Sequence, residues 1–396
     1  MRVPLLDLKA QLLPLREEII AAVTGVIDST CYIMGPELEK LEKGVAEYCG
    51  AAYAIGVSSG TDALLISLMA LDIGPGDLVA TTPYTFFATM GAVLRLGARP
   101  VFVDIDPETY NIDPRLLAHT LADHERAGRP VKAIIPVHLY GQCAEMRTIL
   151  ELAARYNIPV IEDAAQAIGA SYPMAAAGGV EWRRAGAMGT TGCFSFFPSK
   201  NLGGIGDGGM VTTNDLALAE RLRQLRVHGM APKYYHSMVG GNFRMDPVQA
   251  AVLNVKLPRL PEWHRARRRN ASCYNRLFAE AGLLDAGKVR IPTAVFAEQP
   301  GAEAAGADHH IYNQYVIRVE QRDALKAFLD KEGVGVEIYY PIPMHKQECV
   351  AGLGYNELSL PEAEKAAANT LALPVYPELT EEMQVHVVER IRTFYR

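Results

Sequence analysis

The stretch YAIGVSSGTDALLISLMAL, residues 53–71, reads as two elements joined by a turn. YAIGV is a short β-rich run, SSGT a turn of small polar residues, and DALLISLMAL a helix. The run is apolar without alternation, the pattern of a strand covered on both faces. The same unit recurs along the chain. DLVATT passes through PYTFF into ATMGAVLRLG, RPVFVDID follows, and KAIIPVHLY precedes the helix AEMRTILELAARYN, which leads into IPVIEDA. The helices are long enough to be crossover connections. The fold class is therefore α/β, with a mostly parallel sheet covered on both sides in a three-layer large domain.

After the helix DLALAERLRQLRVHG the pattern changes. A long helical region from about Pro247 to Ala281 leads, after a short β-like segment, into AEQPGAEAAGAD, and then into IYNQYVIRV, RDALKAFLDKEG and VGVEIYY. This places a large domain over residues 1–250 and a smaller C-terminal α+β domain over 251–396. GAEAAGA reads as a flexible surface insertion.

Composition excludes several classes. The 396 residues are 49% hydrophobic and 21% charged, a globular balance, and the net charge of −6 gives no basic surface for a phosphate backbone. The basic cluster HRARRRN, His264 to Asn270, reads as a solvated helix face, so no nucleic-acid partner is expected. Cys31, Cys49, Cys143, Cys193, Cys273 and Cys349 are scattered with no CxxC pair, and the histidines form no HExxH. A disulfide scaffold and a metal site are both disfavoured. Asp7, Lys9 and Arg16 interrupt the apolar residues of the opening segment, and no run is long enough to span a membrane. A soluble, cytoplasmic protein is the expectation.

In an open parallel sheet, ligands bind beyond the carboxyl ends of the strands. After the first strand, Gly60 and Thr61 open a helix, where they serve either as an ordinary cap or as an anion site. After the second come Tyr84, Phe86 and Phe87, as core or as cover for a flat ligand. After IPVIED, strand alternation sends Glu162 and Asp163 to opposite faces, so one points into the crevice while the other is solvated or paired; Gln166 follows. TTGCFSFFPSKNLGGIGDGGM, residues 190–210, holds Lys200 in an apolar, glycine-rich setting, with Ser195 and Lys200 flanking a turn after the strand CFSFF. Gly204, Gly206 and Gly209 match G-x-G-x-x-G, but the strand-like MVTTN follows them, so this is not a dinucleotide fingerprint. Together these groups specify a flat, phosphate-bearing, nitrogen-containing ring held through a lysine. That ligand is pyridoxal 5'-phosphate (PLP).

The segments YIMGPELEKLE, GVSSGTDAL, PYTFFAT, FVDIDPETYNID, PVHLYGQ, IEDAAQAIGA, GCFSFFPSKNLGG, GGNFRMDPVQAAVL and LALPVYPELT carry a resemblance over nearly the whole chain. The chain resembles the DegT/StrS family of PLP-dependent nucleotide-sugar aminotransferases, of the aspartate aminotransferase fold type I. The resemblance implies that Lys200 forms the Schiff base and carries the proton, and that Asp163 pairs with the pyridine nitrogen. It implies that Gln166 meets the ring hydroxyl, Phe86 stacks on the ring, and Gly60, Thr61 and Ser195 hold the phosphate. Asn242 is implied to reach the phosphate in the neighbouring subunit of a homodimer. Arg244 is either a substrate contact or a structural ion pair, and Tyr339 and Tyr340 lie in EIYYPIPMHKQ, which resembles the family's substrate-facing turn. Tyr339 stands where the family commonly has histidine. A second departure is the insertion at residues 173–188, whose Arg183 and Arg184 either touch a nucleotide diphosphate or lie in a solvated loop.

The implied reaction is transfer of an amino group from glutamate to a keto nucleotide-sugar. Asp246, after Arg244 and Met245, resembles the 3-amino branch and favours a 3-keto over a 4-keto hexose. A keto-inositol in an aminocyclitol pathway and a non-catalytic PLP-binding regulator are the alternatives. Relatives that are sugar dehydratases carry histidine at the lysine position, where this chain has Lys200.

Overall fold

The computed structural model describes residues 1–176, 178–302 and 308–396. The strands are β1 (Tyr53–Val57), β2 (Leu78–Thr81), β3 (Arg99–Phe102), β4 (Val131–Ile135), β5 (Ile161–Asp163), β6 (Ser171–Ala176), β7 (Gly179–Arg184), β8 (Thr191–Ser195) and β9 (Gly209–Thr213). Near the C-terminus come β10 (Val289–Arg290), β11 (Tyr315–Val319) and β12 (Thr370–Leu373). Two groups, in the orders β1-β9-β8-β5 and β3-β2-β4, meet where parallel bridges Ile134–Val160 and Val137–Asp163 set β4 beside β5. Within this sheet only β9 runs against its neighbours.

Neighbouring residues of these strands pack into different apolar layers. Ala54, Leu78, Ala80, Ile134, Phe194 and Met210 join one cluster, while Ile55, Val79, Ala133, Ile135, Cys193 and Val211 join the other. Both faces of the sheet are dry, which is why the strand sequences are apolar without a break. The helix Gly60–Ala70 lies in the second layer, and its residues 63–68 are all buried. A helix that is apolar all round can be stable only when covered on all sides.

A third cluster joins Val3 to residues between Ala271 and Ile391, around the antiparallel order β10-β11-β12. The region expected to be helical from Pro247 to Ala281 is two helices, Pro247–Lys256 and Leu260–Glu280, with a 3-10 turn at Leu257–Arg259 between them. Pro258 and Pro261 supply no N–H to a continuous ladder, and each sits at the start of its own helical segment. The long helix spans both cores: Leu260 and Trp263 pack in the first cluster, Ala271, Tyr274 and Phe278 in the third.

The basic cluster on that helix corrects the expectation of a solvated face. Arg265 and Arg269 are exposed, but His264 and Arg267 are buried. The Arg267 guanidinium donates to the carbonyls of Tyr312 (3.1 Å) and Val375 (2.8 Å), and Arg268 pairs with Asp308. Neutral backbone oxygens thus solvate Arg267 in place of water, and burial lowers its pKa to about 10. The insertion at 173–188 is also not a loop, since β6 and β7 pair antiparallel from Ser171–Arg184 to Ala176–Gly179. Arg183 pairs with Glu181 at 2.9 Å, and the Arg184 guanidinium lies 4.5 Å from the Tyr48 ring centroid. The last five residues of GAEAAGA, 303–307, lie outside the described residues. No helix of the described residues is long and apolar enough to cross a membrane.

Truncating Arg267 to alanine strands buried carbonyls and leaves a cavity at the junction of the cores. We expect it to destabilise the fold by about 3 kcal/mol, read as a lower urea midpoint, with Arg267→Lys recovering only part of the loss.

Candidate active site

The parallel register of β5 on β8, Asp163 opposite Cys193, brings the ends of two strands together at one edge of the sheet. Asp163 closes β5, and Ser195 closes β8. The helix Gly60–Ala70 starts beside them, capped by Ser59, whose hydroxyl accepts from the Asp62 N–H at 3.1 Å. Around these ends lies a cleft of about 500 Å³, lined by Gly60, Thr61, Phe86, Asp163, Gln166, Ser195 and Lys200. Tyr339, Tyr340 and Gln314 reach it from the C-terminal part of the chain.

Glu162 and Asp163 divide as strand alternation requires, and the one turned away from the cleft is paired rather than solvated. Glu162 is fully buried and accepts from His138 Nε2 (2.9 Å) and from the N–H groups of Gly186 (2.8 Å), Met188 (2.8 Å) and Gly189 (2.6 Å). It pins the turn that feeds β8. Asp163, 5% exposed, accepts from Thr89 Oγ1 at 2.7 Å and from the Ala165 N–H at 3.3 Å. Burial raises its pKa, against the pull of the Thr89 hydroxyl and of Lys200.

Lys200 sits on a tight turn whose N–H groups close back on the strand end: Lys200 N–H donates to the Phe197 carbonyl (2.9 Å) and Gly204 N–H to the Phe196 carbonyl (2.8 Å). A Cβ on Gly203 would fall 2.3 Å from the Pro198 carbonyl oxygen, so the turn requires glycine there. The segment from Gly203 to Ile205 is held by the helix Pro247–Lys256: Gln249 Oε1 accepts from the Ile205 N–H at 2.9 Å, and Lys256 Nζ donates to the Gly203 carbonyl at 2.6 Å. The chain then leads into β9, a strand, in keeping with the rejection of a dinucleotide fingerprint. Lys200 keeps part of its surface open to the cleft, yet its ammonium is desolvated. Burial lowers its pKa to about 8, although Asp163 pulls the other way.

Gln166 is fixed at both ends. Its Oε1 accepts from the Tyr140 N–H (2.8 Å) and its Nε2 donates to Tyr340 Oη (3.1 Å). The Tyr339–Tyr340 segment is itself tied down by Tyr84, whose hydroxyl donates to the Tyr339 carbonyl at 2.7 Å, and by Tyr140, which donates to the same oxygen. Phe86, 57% exposed, caps the helix Phe87–Arg95 with its ring centroid 6.0 Å from that of Tyr340. Asn242 and Arg244 are not brought into this chain's cleft. Asn242 is exposed, and Arg244 is half-buried with a buried Nε that has no hydrogen-bond partner among the described residues. Arg183 and Arg184 also lie away from it, beside Glu47, Asn214 and Asp308.

Residue-by-residue reading of the chain did not single out Thr85, Thr89, Tyr140 or Gln314. The available signal was the hydroxyl spacing in PYTFFAT, where Thr85 and Thr89 are four apart at a helix start and so share a face.

A family model for the DegT/DnrJ/EryC1/StrS aminotransferases matches residues 14–392. The chain is 48% identical over 397 residues to a pleiotropic regulatory protein of Geobacillus stearothermophilus, covering 100% of this chain and 99% of that one. It is 42% identical over 391 residues to the UDP-N-acetyl-3-dehydro-alpha-D-glucosamine 3-aminotransferase of Acidithiobacillus ferrooxidans, covering 98% and 97%. Its fold matches the crystal structure of S. venezuelae DesV in complex with a ketimine intermediate, with a TM-score of 0.88 and 39% identity, covering 99% of this chain and 98% of that one. With the fold, the lysine turn and these matches in agreement, the chain belongs to the DegT/DnrJ/EryC1/StrS aminotransferase family.

Proposed function

We propose that this chain is a PLP-dependent aminotransferase that transfers the amino group of glutamate to a nucleotide-linked keto hexose, at carbon 3 of the sugar. The observation that carries the reading is the meeting of Lys200 and Asp163 in one cleft, beside the start of the helix Gly60–Ala70. The 3-aminotransferase name of the A. ferrooxidans relative supports carbon 3.

The residues present fit the cofactor. The first-turn N–H groups of Gly60 and Thr61 have no partner within their helix, and the helix dipole favours an anion there. A Cβ at position 60 would lie 2.6 Å from the Ser195 Cβ, so only glycine lets this helix end approach the serine hydroxyl. These three residues would hold the phosphate. Asp163 would face the ring nitrogen, Gln166 would hold the ring hydroxyl, and Phe86 would cover the ring.

Bound there, PLP supplies an electron sink for the carbon that bears the transferred nitrogen. The protein's own contribution is acid–base chemistry and positioning. Lys200 Nζ, neutral above about pH 8, would take the proton from the donor's amino-bearing carbon in the first half of the reaction and deliver one to carbon 3 of the sugar in the second. Asp163, kept from water, holds a charge that opposes loss of the ring-nitrogen proton. Tyr339 and Tyr340, which line the cleft, are assigned to the substrate side. Asn242, exposed and outside its own cleft, is assigned to the site of a second subunit, which makes the working form a homodimer with shared sites. The scattered free cysteines favour the cytoplasm.

The 48% identity to a pleiotropic regulatory protein supports a second reading, a PLP-binding regulator without turnover. Glutamate separates the two: we expect it to convert the visible spectrum of the loaded protein to that of the pyridoxamine form. A panel of nucleotide 3-keto and 4-keto sugars should then show 3-keto sugars restoring the original spectrum. A loaded protein whose spectrum glutamate leaves unchanged would favour the regulator.

Because Lys200 must be neutral to capture the cofactor, capture by the protein freed of PLP should quicken about tenfold per pH unit below 8 and level off above it, measured by stopped-flow absorbance. Lys200→Ala should lose at least about a thousandfold in turnover, and borohydride labelling of the loaded protein should map to Lys200. Lys200→Ala and Asn242→Ala subunits, each impaired alone, should regain activity when mixed, because the hybrid dimer carries one intact site.

A further inference from the structure

Asp163 is bonded by a threonine that belongs to neither the phosphate cradle nor the cleft lining. Thr89 is fully buried in the first turn of the helix Phe87–Arg95, and its Oγ1 lies 2.7 Å from Asp163 Oδ2. Thr85, 1% exposed, lies 2.9 Å from Thr89 through its own Oγ1. The direction of the chain follows from the chemistry. An ionised carboxylate can only accept, so Thr89 spends its single proton on Asp163, and Thr85 must then donate to Thr89. A helical threonine normally turns its hydroxyl back to a carbonyl of the preceding turn, whereas Thr89 directs it across to β5 instead.

We propose that Thr89, backed by Thr85, is a positioning residue for the aminotransferase reaction, holding the Asp163 carboxylate ionised and oriented toward the position of the cofactor's ring nitrogen. The inference rests on the reading of Asp163 given above. Oδ1 has only the long 3.3 Å contact from the Ala165 N–H, so the carboxylate would otherwise be free to rotate and to take up a proton in its dry surroundings. The charged groups acting on it are Lys200 and His138, which both favour ionisation; Tyr340 and Cys193 also face it, and its charge in turn opposes theirs. The Thr89 hydroxyl is the hydrogen-bond donor that meets it at short range from a fixed element. A buried hydrogen bond to a charged group is typically worth a factor of about 10–100 in an equilibrium.

The test compares binding of pyridoxamine phosphate with binding of its 1-deaza analogue, in which carbon replaces the ring nitrogen, to the protein freed of cofactor. Thr89→Val keeps the shape and removes the donor; Thr89→Ser keeps the donor. We expect Thr89→Val to weaken pyridoxamine phosphate about 10–100-fold, to leave the deaza analogue within about twofold, and to lower kcat at an unchanged glutamate KM. Thr89→Ser should restore both. Equal weakening of the two ligands, failure of the serine rescue, or unchanged pyridoxamine phosphate binding would each overturn the inference. Asp163→Asn serves as the control on the underlying reading and should abolish the preference for the nitrogen ring. An Asp163→Asn protein that keeps that preference would show that Asp163 does not face the nitrogen, a different failure from a silent Thr89→Val in a protein that needs Asp163.

Discussion

Taking Asp163 and Lys200 out of water pushes both toward neutrality, the carboxyl upward and the ammonium down to about 8, and the cleft is arranged around that shared cost. Each is kept usable by a neighbour that belongs to the scaffold. Asp163 has the Thr89 hydroxyl and the nearby positive charge, while Lys200 has a tight turn that sets it in the cleft lining. Neither group could be so placed without the parallel β5–β8 register, which sets their strand ends at one edge of the sheet. A slip of one residue there would exchange Asp163 with Glu162 and turn the wrong carboxylate to the cleft.

The two adjacent acids show how one sheet builds a site and its support together. Glu162, on the opposite face, is consumed by four hydrogen bonds and ties His138 and the turn at Gly186–Gly189 to β5. That turn sets the start of β8, and β8 in turn sets Ser195 and Lys200. A carboxylate with no chemistry of its own therefore governs where the chemical residues lie, and its burial is tolerated because donors satisfy it fully.

The other wall of the cleft comes from far along the chain. Tyr84 and Tyr140, at the ends of β2 and β4, share the Tyr339 carbonyl, and Gln166 closes the circle through Tyr340. The helix Leu260–Glu280, with Arg267 bound to two backbone carbonyls, joins the apolar clusters that carry the two walls. Tyr339 and Tyr340 are thus held against the strand ends by Tyr84, Tyr140 and Gln166 rather than by the segment's own neighbours in sequence.

Much of this was already legible in the chain. Unbroken apolar runs of β-rich residues can be stable only when covered on both faces, so the three-layer sheet follows from the composition of YAIGV and KAIIPVHLY. Residues within one segment, such as Ser195 with Lys200 or Asp163 with Gln166, were readable because their spacing is local. The fate of HRARRRN was not, because a run of arginines looks the same whether water or distant carbonyls solvate it, and Tyr312 and Val375 are far away in sequence. The same holds for Thr89 and Asp163, separated by 74 positions, and for the pairing of Glu162. The sequence by itself determined the layer order and which residue types stand at the strand ends, because periodicity and local spacing are properties of the chain. Only the tertiary structure decided which carboxylate enters the cleft and what holds it there, because hydrogen bonds between distant segments depend on register and packing that no local pattern encodes.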